Sequence, residues 1–249
     1  MGFVIIVSPA KKMNVVEGPP FPTTRPALIG RTHRLLQELQ GLTYEQAKEL
    51  WKCSDKLAEL NYGRLRDMDL SNNLTAAAIA YEGIQYQHMA AQVMDERSLS
   101  YLDRHLRILS GFYGVLRPSD GVVPYRLEMQ TRLAVDGMRD LYGFWGSSLA
   151  EELGREADTI INVASVEYAK AVTPHAPALG MRVITCLFGQ MDKGRLVQRS
   201  TEAKAARGTF VRWCAEEGVG DVKDLPSFSE RGYAFDPGQS SEDQLVFVK

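Results

Sequence analysis

The stretch Leu109–Met129, LSGFYGVLRPSDGVVPYRLEM, gathers Arg117, Asp120, Tyr125, Arg126 and Glu128 into one glycine-punctuated loop beside Pro118 and Pro124. Guanidinium groups are planar forks that suit phosphate or carboxylate, and the two prolines reduce the entropy of holding them. Glu128 is spaced to orient either arginine through a bidentate pair. The same residues would also make an Arg–Glu staple fixing the loop to the domain, and the two uses are compatible.

Three further segments carry anion-binding chemistry. In SPAKK, Ser8–Lys12, Lys11 sits on a proline-stiffened turn directly after an apolar run; ligands of open α/β sheets collect where strands end, although a solvated turn lysine is the ordinary alternative. In NVASVEYAK, Asn162 falls near the end of a buried run and Ser165 is a natural helix cap, with Glu167, Tyr168 and Lys170 in the turns that follow. Capping alone accounts for Ser165, whereas a buried amide such as Asn162 must find partners. In TEAKAARGTFVRWC, at about 100° per residue, Ala203, Ala206, Phe210, Trp213 and Cys214 form one apolar arc. Arg207 lies at the edge of that arc and must be paired or aimed into a cleft. Lys204 and Arg212 point further out, toward a solvated face.

Lys11, Arg117, Tyr125, Arg126, Glu128, Asn162, Lys204 and Arg207 together form a candidate anion or nucleic-acid cleft. Lys11, Arg117, Arg126, Asn162 and Arg207 are predicted to converge on one concavity, since each follows a strand or borders a buried helical face. A small-molecule enzyme is the rival reading. The same cations would then clamp a phosphorylated or nucleotide-like substrate, with Glu128, Glu167 or Tyr168 moving a proton.

No motif names a reaction. His33, His88, His105 and His175 lack H-x-x-x-H or H-E-x-x-H spacing, so no metal site is expected. G-x-S-x-G, G-x-G-x-x-G and the phosphate-binding G-x-x-x-x-G-K-[ST] are absent, and no cofactor is expected. Cys53, Cys186 and Cys214 are odd in number and far apart, which predicts buried free thiols and no disulfide framework.

The elements that must position these groups belong to an ordinary globular chain, with 45% hydrophobic and 24% charged residues. A net charge of −2 excludes a globally basic nucleic-acid binder. Charge is polarised, however: Arg182–Cys214 holds seven basic residues against two acidic. No run approaches the ~18 apolar residues of a membrane span, and GFVIIV lacks the basic start of a secretory signal, so a cytoplasmic protein is expected. Without repeats, low-complexity tracts or a separating linker, residues 1–249 are expected to form a single α/β domain with a central mixed sheet, surrounding helices and a basic cleft.

Phe3–Val7 is apolar without alternation and predicts a strand buried on both faces. EGPPFPTTRP, Glu17–Pro26, predicts an ordered loop. Helices are predicted over Ala27–Gln40, Tyr44–Cys53 with Thr43 as cap, and Asp55–Met68. Ala76–Tyr81 fits strand or helix equally. Helices are also expected in IQYQHMAAQVM and SLSYLDRHLR, with ILSG as the strand leading into the loop. Leu141, Trp145, Leu149 and Leu153 predict one helical stripe, and Thr159–Ser165 a buried strand. A hairpin turning at Asp192-Lys193-Gly194, a helix over Thr201–Glu217 and a C-terminal hairpin at the sheet edge complete the pattern.

SPAK at Ser8–Lys11, SDKLAELNYGR at Ser54–Arg64, HLRILSGFYGVLRPSDGVVPYRLEM at His105–Met129, LYGFW at Leu141–Trp145, NVASVEY at Asn162–Tyr168, KAARG at Lys204–Gly208 and GYAFD at Gly232–Asp236 resemble the YaaA peroxide-stress proteins, in order along nearly the whole chain. The resemblance implies a cytoplasmic bacterial protein that limits unincorporated iron, and with it damage to DNA and proteins under hydrogen peroxide. It also implies a mixed α/β domain with a basic cleft and a helix-hairpin-helix-like element for DNA binding. The helices from Leu35 to Arg66 are a candidate for that element, without its Gly-x-Gly hairpin, and SDKLAELN fits a packing helix pair equally. Ala205 stands where some relatives carry a second lysine. Double-stranded or junction DNA, bound without sequence preference, is the expected partner, with a phosphorylated small molecule as the alternative and a protein partner as a third.

Overall fold

A computed structural model of the chain describes residues 2–16 and 23–249. Within the proline-rich segment predicted as an ordered loop, residues 17–22 lie outside the described residues; just beyond them Thr24 forms a β-bridge with Asp120. The first apolar run forms strand β1 (Gly2–Val7), and Phe3 to Val7 are all buried, as the absence of alternation requires.

A long helical excursion separates β1 from its neighbour β5. It comprises β2 (Lys12–Met13), α1 (Ile29–Gln40), α2 (Tyr44–Trp51), α3 (Asp55–Arg66), β3 (Thr75–Ala76), α4 (Ala77–Ala80), β4 (Tyr81–Glu82), α5 (Ile84–Met89) and α6 (Glu96–His105), ending in β5 (Leu106–Ser110). Thr43 caps α2 as predicted, in a reciprocal capping box with Gln46. Ala76–Tyr81 is neither one strand nor one helix but a strand end, a single helical turn and a new strand.

The chain continues through β6 (Gly114–Leu116), β7 (Gly121–Val122), α7 (Leu141–Trp145), α8 (Ser148–Gly154), β8 (Ala157–Asn162) and α9 (Val166–Ala169). It finishes with β9 (Arg182–Asp192), β10 (Arg195–Val197), α10 (Ser200–Glu217), β11 (Ala234–Phe235) and β12 (Gln244–Val248). The predicted single helix over Leu141–Leu153 is broken at Gly146, whose φ of 51° and ψ of −132° no helix accommodates. Leu141, Trp145, Leu149 and Leu153 are nevertheless all buried, because both short helices press the same face onto the core.

The main sheet has eight strands in the order β11-β12-β9-β8-β1-β5-β6, with β10 paired to β9. Neighbours from β12 to β5 run parallel, and β6, β10 and β11 are antiparallel additions. Numbered along the chain, the five parallel strands stand in the doubly wound order 2-1-3-4-5. The direction of winding reverses between β1 and β8, and ligands of such sheets bind in the crevice outside the strand ends at that reversal.

Helix α10 lies against β9 and packs closely on α5 and α6. Phe210 joins Phe188, Phe228 and Phe247 in an aromatic cluster beneath it. Gly208 permits the close approach, since a Cβ there would lie 2.0 Å from the Gln85 carbonyl oxygen. That contact sets the neighbouring residues of α10 against the start of α5.

Candidate functional site

The crevice between β1 and β8 is tied by two serines. Ser165 N–H donates to Ser8 Oγ at 2.8 Å and the two hydroxyls lie 3.1 Å apart, while the Tyr86 hydroxyl donates to the Ser8 carbonyl at 2.9 Å. A cavity of about 510 Å3 opens over them. Its lining includes Lys11 from the β1 turn, Tyr125, Arg126 and Glu128 from the long loop, Glu167 and Tyr168 from the β8 side, and Lys204 and Arg207 from α10.

The loop reaches this cavity by alternation. Val123, Tyr125, Leu127 and Met129 are buried, and Arg126 and Glu128 between them are only partly so. Buried hydrogen bonds hold the inward side: Ser110 Oγ accepts from the Phe112 and Tyr113 amides at 3.1 and 2.9 Å and meets the Tyr125 hydroxyl at 2.6 Å, which in turn meets Tyr81 at 2.8 Å. With both Ser110 lone pairs occupied, its proton goes to Tyr125. Burial pushes the Tyr125 hydroxyl up to about 12, so it stays protonated. Gly111 lets the loop close on itself, because a Cβ there would sit 2.6 Å from the Leu127 carbonyl oxygen.

Cations exceed their partners in the cavity. Glu128 is 2.7 Å from Lys11 Nζ and 3.5 Å from Arg126 Nη2, the second distance being long for a hydrogen bond. Arg126 is 13% exposed and its Nε has no partner. Arg207 makes no hydrogen bond or ion pair among the described residues, its Nε is buried, and burial lowers the affinity of its guanidinium for the proton. Burial raises the Glu167 carboxyl above its ordinary range, and the nearby Glu128 charge adds to this, against the Gln130 N–H that it accepts at 3.2 Å and the Lys11 charge.

A second, broader concavity of about 980 Å3 continues from the first through Lys11, Arg126 and Glu128. One wall is α2, contributing Gln46, Glu49, Leu50 and Trp51, with Lys52 at its left-handed end; the other is Gln130–Arg132. Trp51 Nε1 is buried without a partner. Among the described residues, three buried side-chain polar atoms lack a partner, Trp51 Nε1, Arg126 Nε and Arg207 Nε. All three are N–H donors on residues lining this continuous depression.

Two predicted members lie elsewhere. Arg117 turns away into a separate hollow and pairs with Glu156 at 2.6 Å; that carboxylate also accepts from Arg107 Nε at 2.7 Å. Glu128 therefore partners Arg126 and not Arg117. Asn162 is buried against the sheet, its Oδ1 accepting from Ala164 N–H at 3.0 Å and its Nδ2 donating to Thr185 Oγ1 at 3.3 Å. It pins the end of β8 and does not face the cavity. Lys11, Tyr125, Arg126, Glu128, Lys204 and Arg207 are brought together. Tyr86, Trp51, Lys52 and Arg132 escaped sequence reasoning, for they sit in helical or loop positions with no local signal of a cleft.

Among the described residues no group of three or more His, Cys, Asp or Glu side chains is arranged to hold a metal ion. No helix among them is long and apolar enough to cross a membrane. The family model described as Peroxide stress protein YaaA matches residues 3–239. A UPF0246 protein of Pediococcus pentosaceus is 48% identical over 245 residues, covering 98% of this chain and 97% of its own. One from Lactiplantibacillus plantarum is 47% identical over 246 residues, covering 98% of each chain. The chain belongs to the family of Peroxide stress protein YaaA.

Proposed function

We propose that the chain acts in the cytoplasmic peroxide-stress response by binding DNA through phosphates along the double concavity, and that it limits damage and free iron indirectly. The carrying observation is that the three unpartnered buried donors, on Trp51, Arg126 and Arg207, all belong to this one depression. Leaving such a donor unpaired costs on the order of 1–3 kcal/mol, and the side chains that carry all three line the depression that an anionic, acceptor-rich ligand would enter. Within the helical segment from Leu35 to Arg66, α2 and Lys52 are the part that lines the concavity and would meet the backbone.

Direct sulfur chemistry has less support. Cys186 and Cys214 are buried and burial raises both thiols, the reverse of thiolate activation.

Labelled duplex and junction DNA titrated at two salt concentrations provide the test. About 3 to 5 phosphate contacts predict a log–log slope near −0.9 for each, with little sequence preference. Arg207→Ala should weaken every sequence alike. Equal affinity at both salt concentrations would remove the electrostatic mode.

A phosphorylated metabolite is the second reading. It is favoured by the smaller chamber, whose 510 Å3 falls in the ~300–1,000 Å3 range of small-molecule sites, and by Glu167, whose raised carboxyl suits proton transfer.

A further inference from the structure

The charge in the deeper cavity differs from that of a simple backbone track. Lys11, Arg126, Lys204 and Arg207 bring four positive charges against those of Glu128 and Glu167, while Lys12 and Glu82 neutralise each other at 2.7 Å. A phosphodiester in a strand carries one negative charge. A terminal phosphate monoester carries about 1.5 to 2 at pH 7, which matches an excess of two.

Size and lining add a second constraint. A phosphate group alone would fill a small part of 510 Å3. The remaining wall includes Tyr86, Tyr168, Ile84 and Leu127, an apolar and aromatic surface suited to a planar organic group. One ligand must therefore present a dianion to the guanidiniums and a flat, partly apolar body to the tyrosines.

We propose that this cavity binds the terminal phosphate monoester of a nucleotide unit, with Arg126 and Arg207 as the phosphate ligands and the tyrosine-lined remainder housing the nucleoside. The proposal rests on the phosphate-binding reading above and deepens it: the broader groove carries a strand and the deeper cavity receives its end. A monoester has three free oxygens, enough to accept from both guanidinium forks at once. Glu128 keeps Arg126 oriented through a contact too long to compete with a bound phosphate. Two sources supply this chemistry, a phosphorylated DNA end and a free mononucleotide.

The experiment compares one labelled duplex bearing a 5′-phosphate, a 3′-phosphate or only hydroxyl termini, at fixed salt, with deoxyadenosine 5′-monophosphate as a free competitor. At least one phosphorylated end should bind about 10-fold to 100-fold more tightly than the hydroxyl-ended duplex, from charge-assisted hydrogen bonds gained. Arg207→Ala should abolish that gain, and Lys204→Gln, at an exposed position where misfolding is not at issue, should reduce it. Competition by the mononucleotide in a protein that does not bind hydroxyl-ended duplex would uphold the cavity and remove the groove. Salt-dependent binding of all three duplexes with equal affinity, and no competition, would overturn the cavity and leave the groove. Failure of every ligand to bind would overturn both.

Discussion

The Glu128 carboxylate lies 2.7 Å from Lys11 Nζ, joining the turn after β1 to the loop that follows β7 at the mouth of the cavity. Lys11 is 66% exposed there, so the pair contributes little to stability, about 0–1 kcal/mol. Its effect is on the field. Glu128→Gln should raise affinity for hydroxyl-ended duplex about threefold or more at low salt, with the gain shrinking as salt screens it, and should scarcely move Tm. Weaker binding by this variant would mean that Glu128 touches the ligand, or that its 3.5 Å contact orients Arg126 strongly enough to outweigh its charge.

Glu156 holds two arginines of unlike burial, Arg107 at 5% side-chain exposure and Arg117 at 50%. Arg117→Ala should cost under about 1 kcal/mol and leave DNA affinity unchanged, in contrast to Arg207→Ala. Glu156→Ala strands the buried Arg107 and should cost about 3 kcal/mol. Urea unfolding of both variants measures the asymmetry, and a loss of DNA binding in Arg117→Ala would return that residue to the site.

Helix α10 depends on Gly208. An added methyl would meet the Gln85 carbonyl at 2.0 Å, and overpacking of this kind costs about 1–3 kcal/mol even after a gain in helix propensity. Gly63, exposed in α3 with nothing within 4 Å of an added Cβ, is the control. Gly63→Ala should stabilise by about 0.5–1 kcal/mol. Equal effects at the two positions would show that α10 and α5 yield easily.

What the sequence made legible follows the range of the interactions. β1 betrayed its burial by lacking alternation, and Thr43 announced α2 through a capping box closed within three residues. The alternation Val123, Tyr125, Leu127, Met129 against Arg126 and Glu128 is local too, which is why those two could be selected. Arg117 looked identical in that loop, but its partner Glu156 lies 39 residues away and only the sheet order brings them together. Asn162 is the buried amide that its position predicts, yet Thr185 on β9 satisfies it from within the sheet. Trp51 resembled any apolar helix residue, since an unpaired indole N–H is a property of what surrounds it. The break at Gly146 was invisible to a stripe count, because two helices and one can bury the same four residues.

Glu167 gives the site a pH dependence of known sign. Its carboxyl is raised, so the folded state holds the proton to higher pH than the unfolded chain does. Its favourable contribution is complete below the ordinary glutamate range and is lost as pH rises through the folded-state value. Glu167→Gln should thus stabilise relative to the parent at pH 7, and the difference should vanish near pH 4. Protonation also removes a negative charge from the cavity, so hydroxyl-ended duplex should bind the parent more tightly as pH falls from neutrality through the raised Glu167 range. A phosphodiester does not titrate there, and the variant should show a flatter profile. An unchanged pH profile in Glu167→Gln would place the titrating group elsewhere.

Peroxide survival separates sulfur from arginine as the source of protection. Cys186 and Cys214 are buried with raised thiols and Cys53 is half-buried, so a Cys53→Ala/Cys186→Ala/Cys214→Ala variant should still protect cells if it folds. Arg126→Ala/Arg207→Ala should fail, because it removes two of the three unpartnered donors from the concavity. Its stability should not fall much, since neither guanidinium has a close partner: Arg207 has none among the described residues and the Arg126–Glu128 contact is 3.5 Å. Both variants need measured Tm values and matched cellular levels beside the survival curves. Protection by the arginine variant together with failure of a folded cysteine variant would move the chemistry to sulfur, and the unpaired guanidiniums would then need another explanation.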